Sequence, residues 1–318
     1  MSAYLFVHFR EKTTPDGEQV YFALSKDGFN WETVNEASPV LWTYYGTKGA
    51  RDFTIIRDEK TAKFYILATD LSISYGSRKY RENFWGKVSQ NGSQYLSIWE
   101  SEDLLEWTEQ RLISFEGQGF GCLWAPDVIY DAEHEEFILH WSSTHSDDNY
   151  TLKGIYYSRT KDFKKFTSPK ILYKPDGVDS IDSAIYQEAD KFYLFVKSST
   201  AELSQVRLLV SDIPTGDYEL IEHFDRCMDQ REGSVYEAPT ATQLDDGRWC
   251  LFLDYFGKPG AEQGYVPFVA DKLEGGNFIR ADESFNFPYG FKHGTILKIT
   301  DVEYESIKQH DWSDKGYI

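Results

Sequence analysis

Four stretches of this chain repeat one pattern: a short apolar strand, a charged turn, and a second strand crowded with Phe, Tyr, Trp, Ile and Leu. They are RDFTIIRDEKTAKFYILATD at 51–70, APDVIYDAEHEEFILHWSS at 125–143, DSAIYQEADKFYLFVKSS at 182–199 and APTATQLDDGRWCLFLDYF at 238–256. Such repetition constrains the fold more than composition does, because each unit has to bury its faces against copies of itself. A second kind of segment alternates with these hairpins: a strand, a polar turn and a short strand. Its copies are YFALSKDGFNWE (21–32), SIWESEDLLEWTE (97–109), IYYSRTKDFKKFTS (155–168), RLLVSDIPTGDYELI (207–221) and VPFVADKLEGGNFIRA (266–281). In the first copy Asp and Gly supply a tight turn and Trp31 closes over the sheet edge. Trp31 and Trp107 are therefore read as packing residues.

One hairpin plus one outer segment makes a four-stranded unit, and four units are complete. The fifth is split: YLFVHF (4–9) and GTILKIT (294–300) are complementary strands from opposite ends, and YFALSKDGFNWE supplies the rest. This predicts an all-β fold, a five-bladed β-propeller in which residues 1–318 form a single domain and the terminal strands close the ring. Convincing amphipathic helix is absent apart from a turn at 301–310, and the insertion SYGSRKYRENFWGKVSQNGSQ (74–94) reads as a loop.

Hydrophobic residues make up 41% and aromatics 17% of the chain, enough for an ample core. A net charge of −19 argues against nucleic acid as a partner, since phosphate would be repelled. No apolar run approaches membrane-spanning length, so no membrane partner is expected. The start, Met-Ser-Ala-Tyr-Leu-Phe, runs into a strand without a basic segment or cleavage site. Cys122, Cys227 and Cys250 are odd in number and lack CxxC spacing, which suits reduced thiols in packing roles. Together these features point to the cytoplasm.

Inner strands of a propeller begin near its axis, and polar residues stand at each expected beginning: Asp52, Asp127, Asp182, Glu237 and His293. The intervals between them are 55 or 56 positions except the first, 75, which holds the insertion. Carboxylates gathered at one funnel repel each other, so one stays ionised while another holds a proton. Glycoside hydrolysis uses such a pair, an acid for the leaving oxygen and a base for water.

The motifs GARDFTII (49–56), LWAPDVIYD (123–131), SIDSAIY (180–186), GSVYEAP (233–239) and FKHGTILKIT (291–300) resemble glycoside hydrolase family 43 over nearly the whole chain. The resemblance implies Asp52 as general base, Glu237 as general acid, and Asp182 as the carboxylate that raises and orients the acid. Asp127 is read as a structural or water-holding neighbour. It also implies inversion at the anomeric carbon, with Asp52 and Glu237 roughly 6.5–9.5 Å apart. Phe53 and Ser183 depart from the proline common after the first and third acids.

Phe53, Trp124 and Tyr236, with Phe84 or Trp85 of the insertion, are candidates to stack on a sugar. His293 is the metal candidate: the resemblance implies a structural Ca²⁺ on the axis, with waters completing its shell, and no organic cofactor. His8 is read as a core histidine. The expected function is an inverting exo-glycosidase that releases terminal α-L-arabinofuranose, and also β-D-xylose, from arabinan- or arabinoxylan-derived oligosaccharides. The alternatives are an endo-arabinanase and a non-catalytic carbohydrate-binding propeller. A sialidase ranks low, because its clustered arginines are missing.

Overall fold

The chain opens with three antiparallel strands, β1 (Ser2–His8), β2 (Tyr21–Ser25) and β3 (Trp31–Thr33), which wait for a fourth from the far end of the sequence. Four complete sheets follow. Blade I holds β4 (Ala50–Asp58), β5 (Lys63–Asp70), β6 (Tyr95–Ser101) and β7 (Arg111–Ser114), and blade II holds β8 (Trp124–Asp131), β9 (Glu136–Ser143), β10 (Gly154–Thr160) and β11 (Lys170–Tyr173). Blade III holds β12 (Asp179–Glu188), β13 (Lys191–Ser199), β14 (Ser204–Ser211) and β15 (Glu219–Leu220). Blade IV holds β16 (Tyr236–Gln243), β17 (Trp249–Tyr255), β18 (Gly264–Ala270) and β19 (Ile279–Arg280). Finally β20 (Gly294–Thr300) pairs with β1, Leu5 opposite Leu297, and completes blade V. This computed structural model, a five-bladed β-propeller closed by its terminal strands, describes residues 2–10, 14–79, 82–229, 235–256, 264–288 and 290–312.

Side chains along a strand alternate between faces, and the second strand of each blade uses both. Ile66 faces the core between blades V and I, while Leu67 faces that between I and II. Leu139 and Ile138 divide in the same way, as do Leu194 and Phe195, Leu251 and Phe252, and Leu5 and Phe6. Five hydrophobic clusters thus fill five interfaces, which is why the second arm of each hairpin reads as a continuous aromatic and aliphatic run.

The outer turns repeat a hydrogen-bond pattern. Asp27, Asp103 and Asp162 each accept two following backbone N–H groups through one oxygen. The indoles of Trp31 and Trp107 donate back to Gly28 and Leu104, and both pack as expected. In blades I and II the outermost strand begins beyond the sequence segments assigned to it, at Arg111 and Lys170.

Helices are the main correction. The insertion forms α1 (Ile73–Lys79) and α2 (Phe84–Asn91), and α3 (Glu222–Asp229) follows blade III. The helix α4 (Asp301–Gln309) lies where a turn is expected, started by a capping box between Thr300 and Glu303. No described helix is long and apolar enough to cross a membrane. The three cysteines are free, two of them buried.

Leu194, fully buried, and Ile171, 60% exposed on an edge strand, give a direct test of where stability resides. In urea titrations Leu194→Ala is expected to cost about 2–5 kcal/mol. Ile171→Ala is expected to cost under about 0.5 kcal/mol.

Candidate active site

Four of the five inner strands break register with their neighbours at the same place, near their beginnings. The shifts lie between Arg51 and Thr54, Trp124 and Asp127, Ile181 and Ser183, and Glu237 and Thr240. Each bulge holds one residue in the left-handed region: Asp52 (φ 51°), Ala125 (46°), Asp182 (53°) and Ala238 (48°). Such bulges bend a strand and re-aim its side chains. Aspartate tolerates this conformation better than most residues, so Asp52 and Asp182 suit it doubly.

The bulges correct the expected register. Asp52 and Asp182 are equivalent, whereas Glu237 stands one residue earlier, level with Arg51, Trp124 and Ile181. Asp127 stands two residues beyond its bulge and turns inward. It accepts from Thr54 Oγ1 at 2.6 Å and from the Val128 N–H. Asp52, Phe53, Asp127, Asp182, His293 and Thr295 are among the residues lining an axial cavity of about 40 Å³, room for a few waters beside the acids.

His293 joins two of the blades. Its Nε2 lies 2.7 Å from Asp52 Oδ1, and its Nδ1 lies 2.7 Å from Oδ2 of Asp254, at the end of β17. The Lys292 ammonium lies 2.8 Å from the same Asp254 oxygen. Burial opposes a charge on His293, but the hydrogen bonds and charges of Asp254 and Asp52 outweigh it and raise its pKa to about 10. Burial likewise works against Asp254, yet His293 and Lys292 bring it down to about 2. Asp52 is held below the usual carboxylate range: burial is overcome by His293, by the Arg51 charge and by the Thr69 hydroxyl, which donates to Oδ2.

The other acids behave differently. Among the described residues neither Asp182 nor Asp127 makes an ion pair. Burial raises Asp182 to about 6, helped by the negative charge of Glu237, and burial alone raises Asp127 to about 6. Asp182 Oδ2 accepts the Ala238 N–H, and the Asp182 N–H donates to Ser142. Glu237 accepts from Lys197 Nζ at 2.7 Å, and that ammonium also lies over the Phe256 ring.

Three expected aromatics fare unequally. Tyr236 is 1% exposed and packs against Tyr255 and Phe268 in the core between blades III and IV, so its ring has no open face for a sugar. Neighbouring strand residues face opposite ways, and with Glu237 at the mouth Tyr236 must turn inward. Phe53 touches the axial cavity but is 2% exposed, its ring in the core between blades V and I. Trp124 is part-exposed at the mouth, with Trp85 of α2 edge-on to it at 6.1 Å and the Lys153 ammonium 5.9 Å from its ring. Trp85 is 50% exposed and lies 5.7 Å from the Arg51 guanidinium. Arg51 pairs with buried Glu18, which also accepts the Ile73 N–H that starts α1, so the inserted helices are tied to the hub.

His8 is a core residue, stacked on Phe291 at 3.7 Å and held neutral by burial, its pKa about 3. Sequence reasoning missed Asp254, Lys292, Lys197 and Thr69. All but Lys292 lie at the ends of second strands, directly across from the bulged beginnings; the register pair Glu237–Asp254 was available from the hairpin 238–256.

A family described as a probable glycosyl hydrolase domain, related to glycoside hydrolase family 43, matches residues 1–305. An α-L-arabinofuranosidase of Bifidobacterium longum is 27% identical over 208 residues, 59% of this chain and 19% of that protein. The chain therefore spans about a fifth of the length of that relative. Two structures from Bacteroides thetaiotaomicron share the fold. One, titled an endo-1,4-beta-xylanase, has a TM-score of 0.58 at 13% identity, covering 84% of this chain and 85% of that one. The other, titled an endo-arabinase, has a TM-score of 0.53 at 17% identity, covering 78% and 85%. By the extent of the family match, this chain belongs to the glycosyl hydrolases related to glycoside hydrolase family 43.

Proposed function

We propose that the protein is an inverting glycoside hydrolase that removes terminal α-L-arabinofuranose, and with the same pocket β-D-xylose, from plant-derived oligosaccharides. One observation carries the reading: carboxyl groups at one hub are driven in opposite directions. Asp52 is held as an anion, while Asp182, beside Glu237, keeps a proton up to about pH 6. Groups pushed apart in this way mark a site built for acid and base work, with Asp52 on the side of the base and Asp182 beside the acid.

In this reading Asp52 takes a proton from water as the water attacks the anomeric carbon. Glu237 protonates the departing glycosidic oxygen from the other side of the ring. The two bonds change together, so configuration inverts and no sugar–enzyme bond forms. Asp182, bound to the Ala238 N–H beside Glu237, supplies a second carboxyl next to the acid, itself raised to about 6 by burial and by the Glu237 charge. Lys197 fixes the orientation of Glu237 through Oε2.

Trp124 stands level with Glu237, at the equivalent bulge position two blades away, and its part-exposed ring at the mouth makes it the stacking surface for the sugar. The helix that carries Trp85 sets that ring against Trp124 and Arg51 at the mouth, a crowding that supports removal of an end sugar over cleavage within a polymer. The arabinofuranosidase name of the Bifidobacterium relative supports arabinose over other pentoses.

Glu237→Ala and Asp52→Asn are each expected to lower kcat on a nitrophenyl arabinofuranoside by about 10²–10⁴-fold with the fold intact by circular dichroism. Proton NMR of the first product should show the inverted anomer; initial release of the retained anomer would rule out the mechanism.

Asp182 also has a stability signature. Its folded pKa lies above the unfolded value, so the native state binds the proton more tightly and stability falls as pH rises from about 4 through 6. Asp182→Asn is expected to gain about 1–3 kcal/mol at neutral pH and nothing below pH 4, since one pKa unit is about 1.4 kcal/mol. Urea melts at both pH values measure this. An equal effect at both would show that burial, and not ionisation, governs the site.

A further inference from the structure

The resemblance to family 43 implies a Ca²⁺ at the hub, and His293 was its expected ligand. The donor set here does not fit that ion. A nitrogen that points its proton at a carboxylate has no lone pair left for a metal, and both ring nitrogens of His293 point at carboxylates at 2.7 Å. Asp254 and Glu237 do bring oxygens within 4.8 Å of each other and of the imidazole. Each of these acids already has an ammonium on it, however: Lys292 at 2.8 Å on Asp254 and Lys197 at 2.7 Å on Glu237. A divalent ion would sit against two ammonium groups and an imidazole that has no free nitrogen.

We propose that the positive charge at this hub is the imidazolium of His293, clamped between Asp52 and Asp254, and that Asp254 is a positioning residue for the base. The contacts around the ring favour the charge. Asp254 Oδ2 accepts from Lys292 as well as from His293, so it is an acceptor and Nδ1 must donate. Asp52 Oδ2 accepts the Thr69 hydroxyl, which itself accepts the Ala125 N–H. With His293, the Arg51 charge and Thr69 holding Asp52 as a carboxylate, Oδ1 accepts and Nε2 donates. An imidazole that donates from both nitrogens carries a proton on each.

The clamp fixes Asp52 from two sides, Thr69 on one oxygen and His293 on the other, and the ring itself is held by Asp254 and by the edge of Phe9 at 5.0 Å. The remaining charged neighbours of the array are Arg51, Asp182, Glu237 and Lys197. Asp254 is 0% exposed, and its Oδ1 has no hydrogen-bond partner among the described residues. A buried acid with an unpaired oxygen is costly, and aligning the base through His293 is the role its contacts offer.

This inference rests on the reading of Asp52 as the base, but its test does not depend on turnover. With ¹⁵N-histidine labelling, and His293→Gln to assign the resonance among seven histidines, His293 is expected to carry protons on both ring nitrogens at neutral pH. Calorimetric titration of the metal-stripped protein with CaCl₂ is expected to give no stoichiometric binding. A neutral His293 would overturn the proposal, as would one Ca²⁺ bound per chain and lost in Asp254→Asn. In kinetics, Asp254→Asn keeps an acceptor for Nδ1 but removes the charge. It should lower kcat about 10–100-fold, the usual effect of losing an orienting partner, with KM within about twofold. Unchanged kcat in a folded Asp254→Asn would remove Asp254 from the positioning role. Absence of any hydrolysis, with a doubly protonated His293, would remove the glycosidase reading and leave the charge assignment standing.

Discussion

Bringing several carboxylates to one narrow hub carries an electrostatic cost, and the architecture of this protein is largely a response to it. In a chain of net charge −19, several of the hub acids are nevertheless met by basic groups. Arg51 pairs with Glu18, Lys197 with Glu237, and Lys292 with His293 against Asp254 and Asp52. Buried charges persist only when paired in this manner. The two acids without an ion pair, Asp127 and Asp182, are the ones whose pKa burial raises to about 6. Charge balance therefore separates Asp52, held as an anion, from Asp182 and Asp127, which burial raises, and the proposed chemistry takes its base from the first group and sets its acid, Glu237, beside a member of the second.

The hub is also where the backbone is least relaxed. Four inner strands carry a left-handed residue at the same level, two of them alanines that gain nothing locally from it. Each such residue costs on the order of 1–3 kcal/mol and persists only where the surroundings over-determine it. Here the surroundings are five interblade cores built from the second strands, most of whose central residues are fully buried. The rigid part of each blade lies one strand away from the site, and the bulge is the element that converts its rigidity into aim.

Much of this was legible in the residues. The alternating hairpins announced the blades, and the strand beginnings announced that Asp52, Asp182, Glu237 and His293 meet. Their register was not legible, because a bulge shifts the chain by one residue without any marker as plain as glycine; Ala125 and Ala238 occupy it as well as aspartate does. The misplacement of Tyr236 and Phe53 has the same origin. Once Glu237 faces the mouth, alternation sends Tyr236 inward and leaves Trp124, its level-mate's equivalent in blade II, outward. The helices α1 and α2 escaped notice because seven or eight residues are too few to show an amphipathic period, and tertiary contacts such as Glu18 on the Ile73 N–H decide them.

Asp254 shows most clearly what a linear reading omits. It sits in a run, Leu-Phe-Leu-Asp-Tyr-Phe, whose apolar residues define a core strand, and an acid at its end looks like the point where the strand surfaces. Pairing reverses that meaning. Antiparallel register puts the end of the second strand opposite the beginning of the first, so an acid that ends β17 lies beside the one that begins β16. The end of every second strand in a propeller is therefore as close to the axis as the beginning of every inner strand. Thr69, Ser142 and Lys197, at the ends of β5, β9 and β13, touch Asp52, Asp182 and Glu237 in turn. The site is built from both ends of each hairpin: the beginnings present the reacting groups, and the endings set their charge and direction.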